Sequence, residues 1–471
     1  MAKITRRSLL LGVGALPVVA QPARAKEKHL LLDSRIIDRA DGAELALGQV
    51  RKEARNPLLR EDKPWEPRYD NLYANVMFDE GERLFKCWYS PFIMCEVTAT
   101  TPPEKRVFRY TPGKREMGVC YATSKDGVAW RKPELGIIEF NGSTKNNLVA
   151  RGPHGAGVFK DLRDPDTERR YKMFFRRERG MVVERSMAVS FSADGLRWSG
   201  PVACRDIQAA GDSHNNAFWA PELNKYVGIT RLKTGGERFV GRTESADFLK
   251  WTKAVEVFRS LPEEGAERQT YAMPVFRYAN VYLGLVTMFD TRSDAVDCEL
   301  AWSPDTVKWE RICPGTPLIP RGPEGSYDSG CIYAAAYPVM YGNELRLYYG
   351  GSDATHFAWR KGFCCLARLR PDGFAGVQPA RSGAAATIVT KPVRCSGQEL
   401  RVSADAAAGS LRVAVLEADG LDLERSRPIK ADVTDRAVGW EGGRGLAALE
   451  GREVRLRFEL QSARLYSFSF S

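Results

Sequence analysis

The sequence predicts an all-β protein, built as a five-bladed β-propeller followed by a C-terminal β-sandwich. Three observations lead to this prediction: a turn motif that recurs at near-regular spacing, pairs of β-rich runs in phase with it, and strict alternation of apolar and polar residues near the C-terminus. Long helical periodicity is absent from the sequence, which favours an all-β fold.

The turn motif has the pattern S-x-D-x-x-x-W. Its four copies occupy residues 124–130, 192–198, 245–251 and 303–309. A worn fifth copy, in which Phe374 replaces the Trp, surrounds Asp372. Ser and Asp side chains accept hydrogen bonds from nearby backbone N–H groups, and the Trp ring packs on a neighbouring strand. We therefore interpret the motif as a structural turn at the edge of each blade.

Pairs of β-rich runs joined by polar turns recur between these motifs. The pairs occupy residues 71–78 and 84–89, 157–162 and 171–175, 216–219 and 226–230, 270–276 and 282–288, and 331–340 and 345–349. A third strand, the motif and a fourth strand complete each unit, so that four antiparallel strands are repeated five times. The propeller is predicted over 65–380, after an N-terminal segment at 26–64.

Beyond about Gly383 the pattern changes to period-two alternation, as in the run from Val454 to Leu460. Several such strands within about ninety residues predict a β-sandwich over 381–471. No reactive constellation stands out in this part of the sequence. Packing against the propeller and binding of carbohydrate are the two roles considered for it, and packing is favoured.

Residues 1–25 have the features of a twin-arginine signal peptide. Arg6 and Arg7 precede an apolar run at 9–20, and Ala23 and Ala25 supply an A-x-A cleavage site. The apolar run is too short to span a bilayer. The mature chain is thus expected to begin near Lys26, to be periplasmic or secreted, and to have no membrane partner once the signal is cleaved.

The charge and the metal-ligand residues exclude some classes of partner. Removal of the signal peptide leaves 66 basic against 59 acidic residues, scattered singly, and no nucleic-acid motif is found. Ten cysteines and four histidines show no metal-ligand spacing, so neither a metal nor another cofactor is predicted. Disulfides and the oligomeric state are left open.

Several short strings resemble those of bacterial proteins described as glycosyl-hydrolase-like. They are N-P-L-L at 56–59, Y-A-T-S-K-D-G at 121–127, G-V-F-K-D at 157–161 and Y-D-S-G at 327–330. With the predicted architecture, the chain resembles glycoside hydrolases of families 32, 43 and 68. The resemblance implies an Asp of blade one as nucleophile or base, an Asp of blade two that stabilises, and a Glu of blade three as acid.

The sequence departs from that pattern in ways that leave the acid undefined. Asp70 stands at the start of blade one, but no W-M-N-D-P-N-G string surrounds it. Asp161 is preferred in blade two, because Asp164 of R-D-P falls in a polar turn. Blade three offers Asp212 and His214 where a Glu is expected.

The leading ends of the innermost propeller strands are expected to form the site. The predicted catalytic residues are Asp70, Asp161, His214 and Asp328. The predicted substrate-binding residues are Asn71, Tyr73, Asp212, Asn215, Arg268, Tyr271 and His356. Carboxylates serve glycosidic hydrolysis in pairs, one protonating the leaving oxygen and one attacking or activating water.

The sequence therefore predicts an exported enzyme that hydrolyses a glycosidic bond of an oligo- or polysaccharide. Two alternatives remain open. The absence of a blade-three Glu allows a non-catalytic carbohydrate-binding propeller, and the S-x-D turns are shared with sialidases. The sialidase alternative requires an arginine cluster at the propeller axis, for which the sequence offers Arg268.

Overall fold

The computed structural model describes residues 27–106, 109–111, 113–178 and 186–471. The predicted signal peptide at 1–25 lies outside them. Within these ranges the fold is nearly all-β, with one α-helix, α1 (Glu96–Thr100), and seven short 3-10 turns. No helix in this part of the chain is long and apolar enough to cross a membrane.

Five strands precede the first blade: β1 (Lys28–Leu30), β2 (Ile37–Asp41), β3 (Ala43–Leu47), β4 (Arg51–Lys52) and β5 (Leu59–Arg60). The first blade contains β6 (Asn75–Asp79), β7 (Leu84–Tyr89), β8 (Phe92–Cys95), β9 (Arg115–Ser124), β10 (Trp130–Arg131) and β11 (Leu148–Arg151). In the second are β12 (Pro153–Lys160), β13 (Tyr171–Arg177), β14 (Met187–Ser192) and β15 (Val202–Ala203).

The third blade contains β16 (Asn216–Ala220), β17 (Lys225–Thr234), β18 (Glu237–Ser245) and β19 (Val255–Phe258). The fourth contains β20 (Arg268–Ala272), β21 (Val275–Tyr278), β22 (Val281–Asp290), β23 (Ala295–Ser303) and β24 (Glu310–Ile312). The fifth contains β25 (Cys331–Ala334), β26 (Val339–Tyr341), β27 (Glu344–Ser352) and β28 (Gly362–Leu369).

Nine strands follow the propeller: β29 (Ala375–Pro379), β30 (Ala385–Thr390), β31 (Val393–Arg394), β32 (Leu400–Asp405), β33 (Ser410–Val415), β34 (Asp432–Ala437), β35 (Glu453–Val454), β36 (Leu456–Gln461) and β37 (Arg464–Phe470). One sheet has the order β3-β29-β37-β32-β34, and the other has the order β2-β30-β36-β33. Apolar side chains of both sheets, among them Ile388, Val413, Phe458 and Phe468, form the core between them. The predicted all-β fold, a propeller with a C-terminal sandwich, is confirmed.

The N-terminal segment belongs to both bodies. Strands β4 and β5 pair with β28 and supply the outermost strand of the fifth blade. Strands β1, β2 and β3 pair with β37, β30 and β29 of the sandwich. Residues 28–60 are therefore interleaved with the two bodies that the sequence analysis placed after them.

Hydrogen bonds between innermost strands close the blades into a ring. Asn75 of blade one accepts from the Val158 N–H at 2.9 Å and donates to the Ala156 carbonyl of blade two at 2.7 Å. Asn216 joins blade three to Val275 of blade four in the same way. The N–H of Ala336 in blade five donates to the carbonyl of Ala74 at 3.0 Å, which completes the circle.

Blades two and three approach so closely that glycine is required between them. A Cβ atom added to Gly157 would lie 2.1 Å from the carbonyl oxygen of Asn215. No side chain fits that gap, so the contact is made by bare backbone. Next to the axis, the backbones of blades two and three are therefore in direct contact. The polar side chains of the site project from this region.

The S-x-D turns lie between the third and fourth strands of the first four blades, which confirms their interpretation as structural turns. In the first copy, Ser124 accepts from the Gly127 N–H, and Asp126 accepts from the N–H groups of Val128 and Ala129. The copies at Asp194, Asp247 and Asp305 bond their backbones in the same way.

The terminal Trp of the motif packs between blades. Trp251 of blade three packs against Phe174 of blade two at 4.9 Å between ring centroids. Trp130 of blade one contacts Tyr348 of blade five at 5.9 Å. The motif thus fixes each turn and joins its blade to the preceding one, which suits a role in assembly rather than chemistry.

The worn fifth copy of the motif retains an aromatic ring, but its Asp has a different backbone conformation and different partners. Phe374 lies 5.1 Å from Tyr278 of blade four, so it takes the part of the Trp. Asp372 itself has a φ of 63°. It therefore occupies the left-handed position that Gly127 fills in the first copy. Its fully buried carboxylate accepts from Lys28 at 2.8 Å, and its further partners are Tyr278, Ser403 and Ser467.

Loss of the Asp372 carboxylate is expected to destabilise the junction of the two bodies. Asp372→Ala leaves Lys28 and three hydroxyl groups without their acceptor, and we expect the free energy of unfolding to fall by about 2–4 kcal/mol. Urea unfolding provides the measurement. The matched control is Asp432→Ala, which removes a 60% exposed partner of Arg370 and should cost less than about 1 kcal/mol. Equal losses in the two variants would contradict this account.

Candidate functional site

A cavity of about 190 Å³ opens at the axis, where the innermost strands begin. Its walls come from several blades. The lining residues are Asp70, Tyr73, Tyr110, Arg115, His154, Asp212, Arg231, Arg238, Tyr271, His356 and Phe357. Five of these eleven residues were predicted as site residues from the sequence. The leading ends of the inner strands were the predicted location.

Asp70 sits in a strained turn before the first inner strand. Asp70, Leu72 and Tyr73 have φ values of 55°, 65° and 46°. Non-glycine residues rarely adopt this left-handed conformation, and it is found where surrounding contacts impose it. Strand β6 therefore begins at Asn75 rather than at the predicted Asn71. The turn directs the carboxylate of Asp70 into the cavity.

Two buried guanidinium groups hold the Asp70 carboxylate. Arg360 Nη2 lies 3.0 Å from Asp70 Oδ1, and Arg68 Nε lies 3.3 Å from the same oxygen. Burial by itself would raise the pKa of Asp70. The charges of Arg360 and Arg68 outweigh burial and lower that pKa to about 2. Asp70 is therefore ionised throughout the physiological pH range.

Asn71 organises the phenols beside Asp70. Its amide nitrogen donates to the hydroxyl of Tyr73 at 2.7 Å and to that of Tyr271 at 3.0 Å. Its amide oxygen accepts from Arg360 at 2.8 Å. Asn71 is buried behind the cavity wall, so its predicted part in substrate binding is indirect, through Tyr73 and Tyr271.

Opposite this turn, His154 lies between two carboxylates. Its Nδ1 is 2.5 Å from Glu178 Oε2, and its Nε2 is 3.0 Å from Asp212 Oδ1. Burial would lower the pKa of His154, but the hydrogen bonds and charges of Asp212 and Glu178 outweigh it and raise that pKa. The two carboxylates therefore favour the protonated form of the imidazole and fix its orientation.

Asp212 is the exposed end of this group. Its side chain is 39% exposed, whereas that of His154 is 3% exposed. Arg231 Nη2 lies 2.6 Å from Asp212 Oδ2, and Arg176 Nη1 lies 3.6 Å from Oδ1. Burial would raise the pKa of Asp212, yet Arg231, His154 and Arg176 hold it well below its usual range.

His356 and His214, the two predicted histidines, are both neutral aromatic packing groups. His356 lies in the loop between β27 and β28, and its Nδ1 is 2.8 Å from the hydroxyl of Tyr333. Burial, assisted by Arg360, lowers the pKa of His356 to about 3. His214 lies beneath Tyr73, with ring centroids 5.4 Å apart, and burial lowers its pKa to about 4. His214 does not line the cavity.

The structure does not bring Asp161 to this cavity. Asp161 follows β12 at its far end, roughly 20 Å from His154 at the rise of a β-strand. It accepts from Tyr226 at 2.5 Å and pairs with Lys172 at 3.1 Å, in the turn that leads into β13. Its apolar neighbours suggested an active acid, but its partners hold its pKa below the usual range, and burial does not prevail.

Asp328, Arg268 and Asn215 also have structural partners away from the cavity. Asp328 is buried and holds Lys52 of β4 at 2.6 Å, next to Tyr349. Arg268 pairs with Glu264 and Glu299. The Asn215 amide donates to the carbonyls of Gly211 and Ser213, and so fixes the loop that carries Asp212.

The axial arginine cluster that the sialidase alternative requires is formed by residues other than Arg268. Arg115, Arg231 and Arg238 line the cavity, with Arg68, Arg176 and Arg360 behind its carboxylates. Antiparallel pairing of the first two strands of a blade could have indicated two of these arginines, Arg176 and Arg231. The end of the second strand lies beside the axial start of the first strand, as Arg176 lies beside His154 in blade two. Arg231 follows the predicted end of the second strand of blade three.

A second cavity of about 750 Å³ adjoins the first on the side of blades four and five. Arg238 and Phe357 belong to both, and Arg109, Gln269 and Asp294 line the outer one. The guanidinium group of Arg109 lies 3.8 Å from the centre of the Phe357 ring. A ligand that enters the axial cavity can therefore extend outwards past Arg238.

No group of three or more His, Cys, Asp or Glu side chains with metal-binding geometry occurs in the described ranges. The ten cysteines are free thiols, and nine of them are buried.

No known protein family and no curated protein matches the chain. Among solved structures it is similar to an N-acetylgalactosamine deacetylase from F. plautii in complex with blood group B trisaccharide, at 15% identity over 70% of this chain and 96% of that one, with a TM-score of 0.46. It is also similar to a β-1,2-mannobiose phosphorylase from Listeria innocua, at 14% identity over 68% of this chain and 97% of that one, with a TM-score of 0.48. A glycosyl hydrolase from Bacteroides ovatus shows 15% identity over 68% and 94%, with a TM-score of 0.43. These activities and ligands are properties of those proteins.

The three axial histidines are expected to titrate in separate pH ranges. His214 and His356 should stay neutral down to about pH 4 and about pH 3, because burial lowers their pKa values. The midpoint of the His154 titration should lie above pH 6.5, because its carboxylate partners raise its pKa. A pH titration of the imidazole C–H signals by NMR measures all three. A His154 signal that titrates below pH 6.5 would contradict the clamped imidazolium.

Proposed function

We propose that the protein hydrolyses a glycosidic bond in the axial cavity, with Asp70 and Asp212 as its paired carboxylates. One observation carries the proposal: carboxylates from two different blades line one cavity, and one of them lies at hydrogen-bond distance from a buried imidazole whose pKa is raised. A pair of carboxylates and a proton source is what hydrolysis of a glycosidic bond requires.

Asp70 is suited to act as nucleophile or base. Its pKa of about 2 keeps it ionised, and the arginines that hold it fix its direction. Such a carboxylate can attack the anomeric carbon or remove a proton from a water molecule. Tyr73 and Tyr271 share the donor Asn71 and line the same cavity, where their hydroxyl groups can donate hydrogen bonds to a sugar.

Asp212 and His154 together supply the proton. Asp212 is exposed enough to touch a substrate but is ionised, whereas His154 carries a proton but is buried. The proton passes from Nε2 of His154 to Oδ1 of Asp212 and on to the leaving glycosidic oxygen. Asp212 returns to its ionised state and His154 becomes neutral. If Asp70 is the nucleophile, the water that hydrolyses its ester with the sugar gives its proton through Asp212 to His154. If Asp70 is the base, it takes the proton of the attacking water and releases it to solvent, and His154 regains its proton from solvent.

His154 and Glu178 are thus positioning residues that act through Asp212. Glu178 fixes the imidazole and favours its charged form. The family resemblance implies a Glu of blade three as the acid. In this proposal Asp212, supported by His154, takes that role.

Replacement of either cavity carboxylate is expected to abolish turnover. We expect Asp70→Asn and Asp212→Asn to lower kcat/KM at least about 100-fold on any glycoside that the protein cleaves, because acid–base groups contribute this much or more. A screen of chromogenic glycosides and natural oligosaccharides identifies that substrate.

The matched control is Asp161→Asn, which removes a buried, ion-paired carboxylate outside the cavity. Activity of this variant should stay within about threefold of the parent while the protein remains folded, since no group of the reaction is changed. Loss of turnover in Asp161→Asn with an unchanged melting temperature would contradict the assignment. Saccharide binding without turnover in the parent would instead establish a non-catalytic carbohydrate-binding propeller.

The pH profile tests the part of His154 separately. Activity should fall as pH rises through the raised pKa of His154, so the alkaline limb should lie above pH 6.5. In Glu178→Gln the imidazole loses a negative partner, its pKa falls, and the alkaline limb moves to lower pH. An alkaline limb that stays in place in Glu178→Gln would exclude His154 as the proton source.

A further inference from the structure

The charges around the axial cavity do not balance. Its lining residues and their ion-pair partners include six guanidinium groups, those of Arg68, Arg115, Arg176, Arg231, Arg238 and Arg360. Within the described part of the chain this set contains three carboxylates, those of Asp70, Asp212 and Glu178, while Glu61 lies near Arg68 and Arg360 with its pKa raised to about 7 by burial. Protonation of His154, which its carboxylate partners favour, adds to this excess of positive charge. Buried charges of one sign are costly unless a partner of opposite sign is bound.

The excess is concentrated on one side of the cavity. Asp70 is neutralised by Arg68 and Arg360, and Asp212 lies among His154, Arg176 and Arg231. Among the described residues, Arg115 and Arg238 form no ion pair. Arg238 only donates to the neutral Gln269, at 2.6 Å.

Donor atoms on that side are buried and unused. Nη2 of Arg231 pairs with Asp212, while its Nε and Nη1 have no hydrogen-bond partner. The Arg231 side chain is 4% exposed. Nε of Arg238 is likewise buried and unpartnered. A buried guanidinium N–H without an acceptor carries a desolvation cost that an anionic ligand would remove.

Aromatic rings fix these guanidinium planes. The Arg231 head lies 4.9 Å from the centre of the Tyr271 ring, and the Arg238 head lies 5.2 Å from that of Phe289. Arg115 packs on Phe92 at 4.9 Å. A guanidinium group held in this way presents parallel N–H donors that match the oxygens of a carboxylate, sulfate or phosphate.

We infer that Arg115, Arg231 and Arg238 bind an anionic group carried by the saccharide itself, so that the protein acts on an acidic sugar. This inference rests on the proposed glycosidase function of the same cavity and names its substrate class. A carboxylate or an ester sulfate or phosphate on the sugar would accept from the free nitrogens of Arg231 and Arg238. Arg231 would then stand between that anion and Asp212 and separate their charges.

A glycan array tests this substrate class with the purified protein. The array carries uronic-acid, sialylated, sulfated and phosphorylated glycans beside their neutral counterparts. We expect acidic glycans to bind at least about tenfold more tightly than the matched neutral ones, the factor expected for hydrogen bonds to a charged group. Binding should weaken as salt is raised. Equal binding of neutral glycans, or no binding of any acidic glycan, overturns the inference.

Arginine variants test the residues. Arg115→Gln and Arg238→Gln should each weaken binding of the preferred acidic glycan about tenfold or more, and Arg238→Lys should restore only part of the loss, because lysine lacks the fork. Arg231 is avoided because it also holds Asp212. The matched control is Arg197→Gln, a 72% exposed arginine on the second S-x-D turn, which should bind like the parent. Unchanged binding in both cavity variants overturns the assignment.

Two further measurements separate this inference from the proposed hydrolysis. Inorganic phosphate and sulfate are titrated alone, and arginine-dependent binding of either one without preference for acidic glycans overturns the inference in favour of a free anion. Turnover of a neutral glycoside that is lost in Asp212→Asn would leave the hydrolysis standing and overturn the substrate class. Arginine-dependent binding of an acidic glycan without turnover would support the substrate class and reject the hydrolysis.

Discussion

The closure of the ring is the constraint on which the rest of the structure depends. Strands β4 and β5 complete the fifth blade from the N-terminal side, and the ion pair of Lys52 with the buried Asp328 holds this segment in place. Glu61, which directly follows β5, accepts from the N–H groups of Tyr69 and Gly362. The segment that closes the ring therefore leads straight into the turn that carries Asp70. The same segment therefore also positions the site.

The axial site lowers the stability of the fold. It combines three left-handed non-glycine residues within 70–73, a histidine between two carboxylates and six guanidinium groups. Neither backbone strain nor unbalanced buried charge stabilises a fold. The surrounding blades are stabilised in the usual way. Apolar layers lie between neighbouring blades, and the Asp of each S-x-D turn accepts hydrogen bonds from backbone N–H groups of the same turn. Stability resides between the blades, and the axis is free to be specialised for binding and chemistry.

The architecture could be predicted from the sequence because its signals are local. The Ser and Asp of each turn bond to N–H groups within three residues, and hairpin runs show their own boundaries. The individual site residues depend on tertiary contacts. The apolar strand before Asp161 predicts a partly buried acid there, yet that strand carries Asp161 to the far end of the blade, whereas His154 lies near the start of the same strand, at the axis. The arginines come from strand ends and loops with no motif, and Arg360 meets Asp70 across 290 positions.

We propose that a saccharide binds at the axis between Asp70 and Asp212. The most direct measurement is a crystal structure of Asp212→Asn with the saccharide that the parent protein binds. We expect the sugar in the axial cavity, its glycosidic oxygen next to residue 212 and its anomeric carbon facing Asp70, with any longer chain leaving past Arg238. A saccharide bound only on the sandwich, or on an outer blade with the axial cavity unchanged, would contradict the account.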